Sequence, residues 1–257
     1  MKSNKLVLGM FFFLLLVWVM APTSAYASDP IPGISLDIGN AEGTAGASNT
    51  ITLILIITIL SIAPSILIMM TSFTRIVIVL GFVRTALGTQ QMPPNQVLIG
   101  IALFLTLFIM SPTLGEINKT AFQPYMKGEL TQTAALEAGA LPLKKFMIAQ
   151  TREKDLMLFL NYAKAEKPTG VADTPLTALI PAYAISELKS AFQMGFMIFI
   201  PFLVIDMIVA STLMSMGMMM LPPIMISLPF KILLFVLVDG WYLVVKSLLL
   251  SFNAPLS

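Results

Sequence analysis

The chain has 257 residues, 57% of them hydrophobic and 11% charged, with 15 basic residues against 13 acidic ones and a formal charge of +2. A composition this apolar belongs in a membrane, and a charge this close to neutral offers nothing to nucleic acid. Cysteine and histidine are both absent, which excludes disulfides, thiolate and imidazole metal sites, Ser-His and Cys-His nucleophiles and histidine relays. Carboxylate-only metal binding and Lys- or Asp-based membrane catalysis stay open. The thinly spread acids suggest no such site, so no catalytic residue, metal or cofactor is assigned.

In chain order, Lys2 and Lys5 precede an apolar core from Leu6 to Met20, then Pro22 and the small-residue pattern Ala25-Tyr26-Ala27. Residues 1–27 therefore read as a signal peptide cleaved after Ala27, with an uncleaved anchor as the alternative. Either places Ser28 outside the cytoplasm. Residues 28–50, rich in Gly, Ser and Ala, read as a flexible leader.

Residues 51–114 read as a first membrane-associated helical hairpin. Ile51–Met70 is of spanning length, and the apolar stretch continues through Phe82, broken only by Arg75. Val97–Met110 is barely enough to cross about 30 Å of hydrocarbon. Arg75 and Arg84 stand without an acid from Ile51 to Thr113, so the positive-inside rule puts the turn between these segments in the cytoplasm. Their spacing, at about 100° per residue, sets them on opposite faces of a helix. They read as solvated topology determinants rather than as one ligand site.

Residues 115–187 carry mixed, nearly balanced charge and read as a small helical extracytoplasmic domain. Phe146, Met147, Leu156, Phe159, Leu160 and Ala163 recur on a rough helical period across Lys144–Ala165, opposite a wet face with Lys145, Arg152, Glu153, Lys154 and Asp155. So small a domain must lean on its neighbours.

Residues 188–252 read as a second helical hairpin, with Ala191–Thr212 running inward, Leu213–Pro223 turning and Ile224–Leu250 returning; residues 253–257 are a tail. Both turns carry a Pro-Pro pair, Pro93-Pro94 and Pro222-Pro223, just before the outgoing helix, where proline is tolerated. Asp206 and Lys231 lie similar distances either side of the turn, which at about 1.5 Å per residue gives them one depth. Stranded charge is costly in lipid, so they read as a pair, within one subunit or across an interface. The alternative is a proton-carrying Asp206, against which a nearby lysine would work. Asp239 and Lys246 share a face but are too far apart to touch along a straight helix, so their partners lie elsewhere. Met216, Met218, Met219 and Met220 crowd the turn. They read either as packing or as a deformable seal, because thioether side chains are flexible and polarizable.

At this point the residues resemble a known family. Pro181–Phe196 (PAYAISELKSAFQMGF) and Pro201–Met218 (PFLVIDMIVASTLMSMGM) are similar to two signature stretches of the FliP family of type III export-gate proteins, and Thr71–Gly100 resembles its first hairpin. The resemblance covers about Ile51 to Phe252. It implies an all-α membrane protein of two helical hairpins flanking the inserted domain, assembling as a homo-oligomer of five copies with FliQ and FliR into a helical channel. It further implies FlhA, FlhB and a cytoplasmic ATPase complex as feeding partners, unfolded flagellar proteins as cargo, and a place in the flagellar basal body of the bacterial inner membrane, in contact with lipid. Met218, Met219 and Met220, with Met216 beside them, fall on the family's pore gasket. Asp206 and Lys231 fall on its acid–base pair, and Glu187 on an intersubunit contact, where Asp239 and Lys246 are further polar candidates. The resemblance also implies hairpins that ride above the bilayer plane, contrary to straight spans. The virulence-injectisome branch shares these motifs, and a transporter coupled through Asp206 is the alternative from another class.

Overall fold

The computed structural model describes residues 44–89, 91–218 and 220–253. In chain order these form α1 (Thr44–Met69), α2 (Phe73–Ala86), α3 (Asn95–Ile117), a π-helical turn (Asn118–Phe122), α4 (Gln123–Met126), α5 (Gln132–Ala149), α6 (Glu153–Tyr162), α7 (Leu176–Ser215), α8 (Pro223–Leu237) and α9 (Gly240–Asn253). No strand occurs among the described residues. The expected signal peptide and the leader up to residue 43 lie outside them. Residues 44–50, expected at the end of the leader, are the start of α1. The chain divides into two compact units, up to Ile57 and from Thr58 onward; the remaining description concerns residues of the second.

α2 is its central helix. Ile76, Val79, Leu80 and Val83 recur at helical spacing and are fully buried, each contributing about 1.5–3 kcal/mol by leaving water. They share a core cluster with Ala191 of α7, the helix with which α2 has its most extensive contact, and Gly195 of α7 faces Phe82. A Cβ on Gly195 would lie 2.4 Å from a ring carbon of Phe82, so only glycine allows this approach. The Phe82 ring then meets Phe192 edge-on at 5.4 Å. Leu98 and Ala102 of α3, Phe235 of α8, and Val244 and Leu248 of α9 complete this core. A smaller cluster of Met70, Met147, Leu179 and Tyr183 joins α5 to the first turns of α7.

Four boundaries differ from those expected. The apolar segment at Val97–Met110 belongs to a longer helical run, Asn95–Met126, which passes Pro112 and the π turn. The region Lys144–Ala165 is two helices. Thr151 Oγ donates back to the Met147 carbonyl at 2.7 Å, and the Arg152 amide leaves the ladder for Ser186 Oγ at 3.1 Å. α7 starts at Leu176 and continues unbroken past Pro181 and Pro201, so it runs through the expected domain boundary at 187/188. The return arm bends by 63° between α8 and α9, where Asp239 takes a left-handed φ of 51°. Among the described residues two helical runs, Asn95–Met126 and Leu176–Ser215, are long and apolar enough to cross a membrane. The bent α8–α9 pair makes a third if it counts as one.

Candidate functional site

Three features stand out on this frame: a methionine turn and two buried polar clusters. α7 ends in a Schellman cap, with Gly217 at φ 75°, its amide donating to the Met214 carbonyl and the Met218 amide to the Leu213 carbonyl, both at 3.0 Å. Pro222 and Pro223 then start α8, Pro223 in its first turn. The reversal leaves Met216, Met218 and Met220 exposed at 72%, 45% and 98%. Met219 lies outside the described residues.

Below this turn, Lys231 Nζ donates to Asp206 Oδ2 at 2.6 Å, and Ser227 Oγ donates to Asp206 Oδ1 at 2.5 Å. Lys231 is 3% exposed and Asp206 24%. The ammonium also lies 3.8 Å from the Cβ position of Gly88, just past the C-terminal end of α2, where a cation is favoured by the helix dipole. Both carboxylate oxygens are thus engaged within one chain.

The second cluster centres on Arg75. Its side chain is 1% exposed and that of its partner Glu187 0%. Nε donates to Glu187 Oε2 at 2.9 Å and Nη2 to Glu187 Oε1. Nη2 also donates to Gln150 Oε1 at 3.0 Å, and Nη1 to the Ser251 carbonyl at 3.1 Å and to Ser251 Oγ at 3.0 Å. The guanidinium lies 4.0 Å from the centroid of the Phe252 ring, and Gln150 Nε2 donates to the Phe252 carbonyl at 3.0 Å. Every guanidinium donor is used, and α2, α7, the end of α5 and the end of α9 meet at one residue. Tyr183 Oη, donating to the Thr71 carbonyl at 2.9 Å, adds a nearby tie.

This corrects two expectations. Arg75 is not a solvated topology determinant; a charge on the buried face of α2 needs an in-chain partner, and Glu187 supplies it. Glu187 correspondingly is not at an intersubunit surface, because both of its oxygens face Arg75 inside the chain. Arg84 behaves differently: it is half-buried and donates to Asn95 Oδ1 across the turn. Asp239 and Lys246 are exposed and, among the described residues, form no ion pair; Lys246 lies over the Tyr242 ring at 5.6 Å. Gln150 and Ser251 had no signal in the sequence. Arg75 had one, since the partner argument applied to Asp206 holds equally for a lone arginine in an apolar run.

The family model described as FliP family matches residues 56–248. This chain belongs to the FliP family. Among curated relatives it is 64% identical to "Flagellar biosynthetic protein FliP" of Bacillus subtilis (strain 168), over 84% of this chain and 98% of that protein. The protein of the same name from Aquifex aeolicus (strain VF5) is 47% identical over 91% of this chain and 98% of its own length. The one from Pectobacterium carotovorum subsp. carotovorum is 46% identical over 96% and 92%. The match to the family model takes in α2 to α8 and most of α9, so the methionine turn, Asp206–Lys231 and Arg75–Glu187 fall within it, while Ser251 and Phe252 of the Arg75 cluster lie just beyond.

Proposed function

We propose that this FliP-family chain is a core channel subunit of the flagellar type III protein export gate. It passes unfolded flagellar subunits across the bacterial inner membrane at the flagellar basal body. In this reading α7 and α8 form a hairpin, several copies, taken as five, assemble with FliQ and FliR, and the apparatus is fed through FlhA and FlhB. The methionine tips gather into a ring that seals against ions and parts for an extended chain.

The observation that carries this reading is the tip of the α7–α8 pair. Exposed thioethers stand at a capped turn, on helices that hold no charge from Phe192 to Val238 except Asp206 and Lys231, which neutralise each other. Thioether side chains re-pack around many sequences, which suits varied cargo. Extensive exposed apolar surface along α3, α7 and α8 supports burial against other subunits or lipid. The Asp206–Lys231 contact weighs against a carrier carboxylate, and with it against the small-solute transporter. The test is the mass and composition of the complex purified in detergent from cells co-expressing FliQ and FliR. A discrete homo-oligomer containing both is expected. A monomer or dimer with no affinity for them, and a saturable solute flux from the purified chain alone, would return the transporter to first place.

A further inference from the structure

An electrostatic imbalance lies away from the methionine turn, beside the Arg75–Glu187 cluster, to which Ser186 connects it by accepting from the Arg152 amide and donating to Asp155. Arg152 precedes α6, Lys154 lies in its first turn and Lys189 on the adjoining α7. Together with Glu153 and Met157 they line a recess of about 600 Å³. The acids beside these cations are already committed. Asp155 accepts from Arg152 at 2.5 Å and from Ser186 Oγ at 2.6 Å, and Glu153 accepts from Lys167 at 2.9 Å. Arg152 Nε and Nη1 are nevertheless buried without an acceptor. A buried donor left unpaired keeps its full desolvation cost, and neighbouring like charges repel. An incoming anion offsets the repulsion among Arg152, Lys154 and Lys189.

The same chain carries a complementary surface on another element. Residues 128–143 contain Glu129 and Glu137 and no basic residue, between exposed Lys127 on one side and Lys144 and Lys145 on the other; Lys145 is paired with Glu116. Both are exposed, and among the described residues neither forms an ion pair. Lys144, which lines a recess with Glu137, spends its ammonium on the Ala172 carbonyl at 2.7 Å. The acidic edge runs up to and into α5, while the basic recess belongs to α6 and α7. Contact between two different patches is heterologous, the type that closes rings when the rotation allows. Exposed Leu158, Leu188 and Phe192 lie on the two helices that carry the recess and give an interface apolar area as well as charge.

We infer that the Arg152–Lys154–Lys189 recess is a docking surface for a second copy of this chain, which inserts the Glu129–Glu137 edge. The inference rests on the homo-oligomer proposed above and specifies one of its contacts. The test uses the full chain co-expressed with FliQ and FliR and purified in detergent. Reversing both exposed lysines, Lys154→Glu with Lys189→Glu, is expected to lower the yield of assembled complex about tenfold or more, since like charges across an interface are strongly unfavourable. Adding Glu129→Lys and Glu137→Lys to the same chain restores attraction and is expected to recover assembly, which a mere folding defect would not. Wild-type yield from the lysine reversals would overturn the inference. So would failure of the four-residue swap to rescue; loss of co-purified anionic phospholipid in that case would assign the recess to a lipid phosphate. If the wild-type chain forms its homo-oligomer but takes up neither FliQ nor FliR, the gate reading falls, and the charge swap still decides this contact.

Discussion

The Arg75–Glu187 and Asp206–Lys231 ion pairs have different surroundings. Arg75–Glu187 is sealed from solvent, joins positions 112 apart in the chain, and draws in Gln150 and Ser251 until no guanidinium donor is free. Asp206–Lys231 links two helices joined by one turn, with only Ser227 added and Asp206 still partly exposed. The first ties the ends of α5 and α9 to α2 and α7. The second neutralises a hairpin arm otherwise rich in exposed apolar side chains. Burial and the number of elements joined, rather than ion-pair distance, separate a clamp for the fold from a local neutraliser. Removing one partner from each pair puts that difference to measurement.

The largest effect is expected at the clamp. Arg75→Ala strands a fully buried Glu187 and leaves Gln150 and the Ser251 carbonyl short of a donor, a loss of about 3–5 kcal/mol. Arg75→Lys should recover little, because an ammonium cannot reproduce the forked donor set. Protein level and thermal unfolding in detergent check both variants; near-wild-type stability of Arg75→Ala would remove the clamp. Breaking Asp206–Lys231 should cost less, about 1–3 kcal/mol, because the exposed edge of Asp206 lets water replace part of what is lost. Lys231→Met and Asp206→Asn should each lower assembled complex, and the double variant should lie closer to wild type than the sum of the two. Strict additivity in that cycle would mean the pair is not coupled. For Met218→Ala, Met219→Ala and Met220→Ala together, fold stability should hold, because the described tip side chains, Met218 and Met220, are exposed. The expected change is ion leakage across the membrane of cells with assembled gates, and unchanged permeability would count against a seal.

This ranking also marks what the sequence made legible. The common depth of Asp206 and Lys231 follows from helical rise alone, because one short turn joins their helices. The Pro-Pro starts of α3 and α8 follow from proline's fixed φ and missing donor. Arg75–Glu187 could not be paired in advance: helical phase puts Arg75 on a face but says nothing about which distant residue will meet it. The start of α7 was missed for a related reason. Its first turns bury Ser186, Glu187 and Ser190 among alanines, and a reading by hydropathy stops at polar residues that tertiary packing accepts. At Asp239 the helix breaks through a left-handed backbone angle; the Asp239-Gly240 dipeptide is a turn signal that a reading by hydropathy overrides, because the run on either side of it is apolar.

The smallest effect should come from a pair with an equally good contact and no burial at all. Lys167 Nζ donates to Glu153 Oε1 at 2.9 Å, and both side chains are largely exposed. That hydrogen bond and the lysine charge hold the Glu153 carboxyl below its ordinary value of 4.5. A carboxyl depressed in the folded state adds stability above its unfolded pKa and gives it up as pH falls through its folded pKa. The contribution is therefore complete at neutral pH and lost only on acidification below the ordinary carboxylate range. Lys167→Ala should remove that acid-side dependence while leaving neutral-pH stability within measurement error, and high salt should reproduce the change in the wild type because exposed pairs are screened. A loss at neutral pH comparable to that of Arg75→Ala would mean that contact distance, and not burial, ranks the ion pairs of this chain. Unfolding midpoints of wild type and variant, compared across acidic and neutral pH at low and high salt, decide between the two.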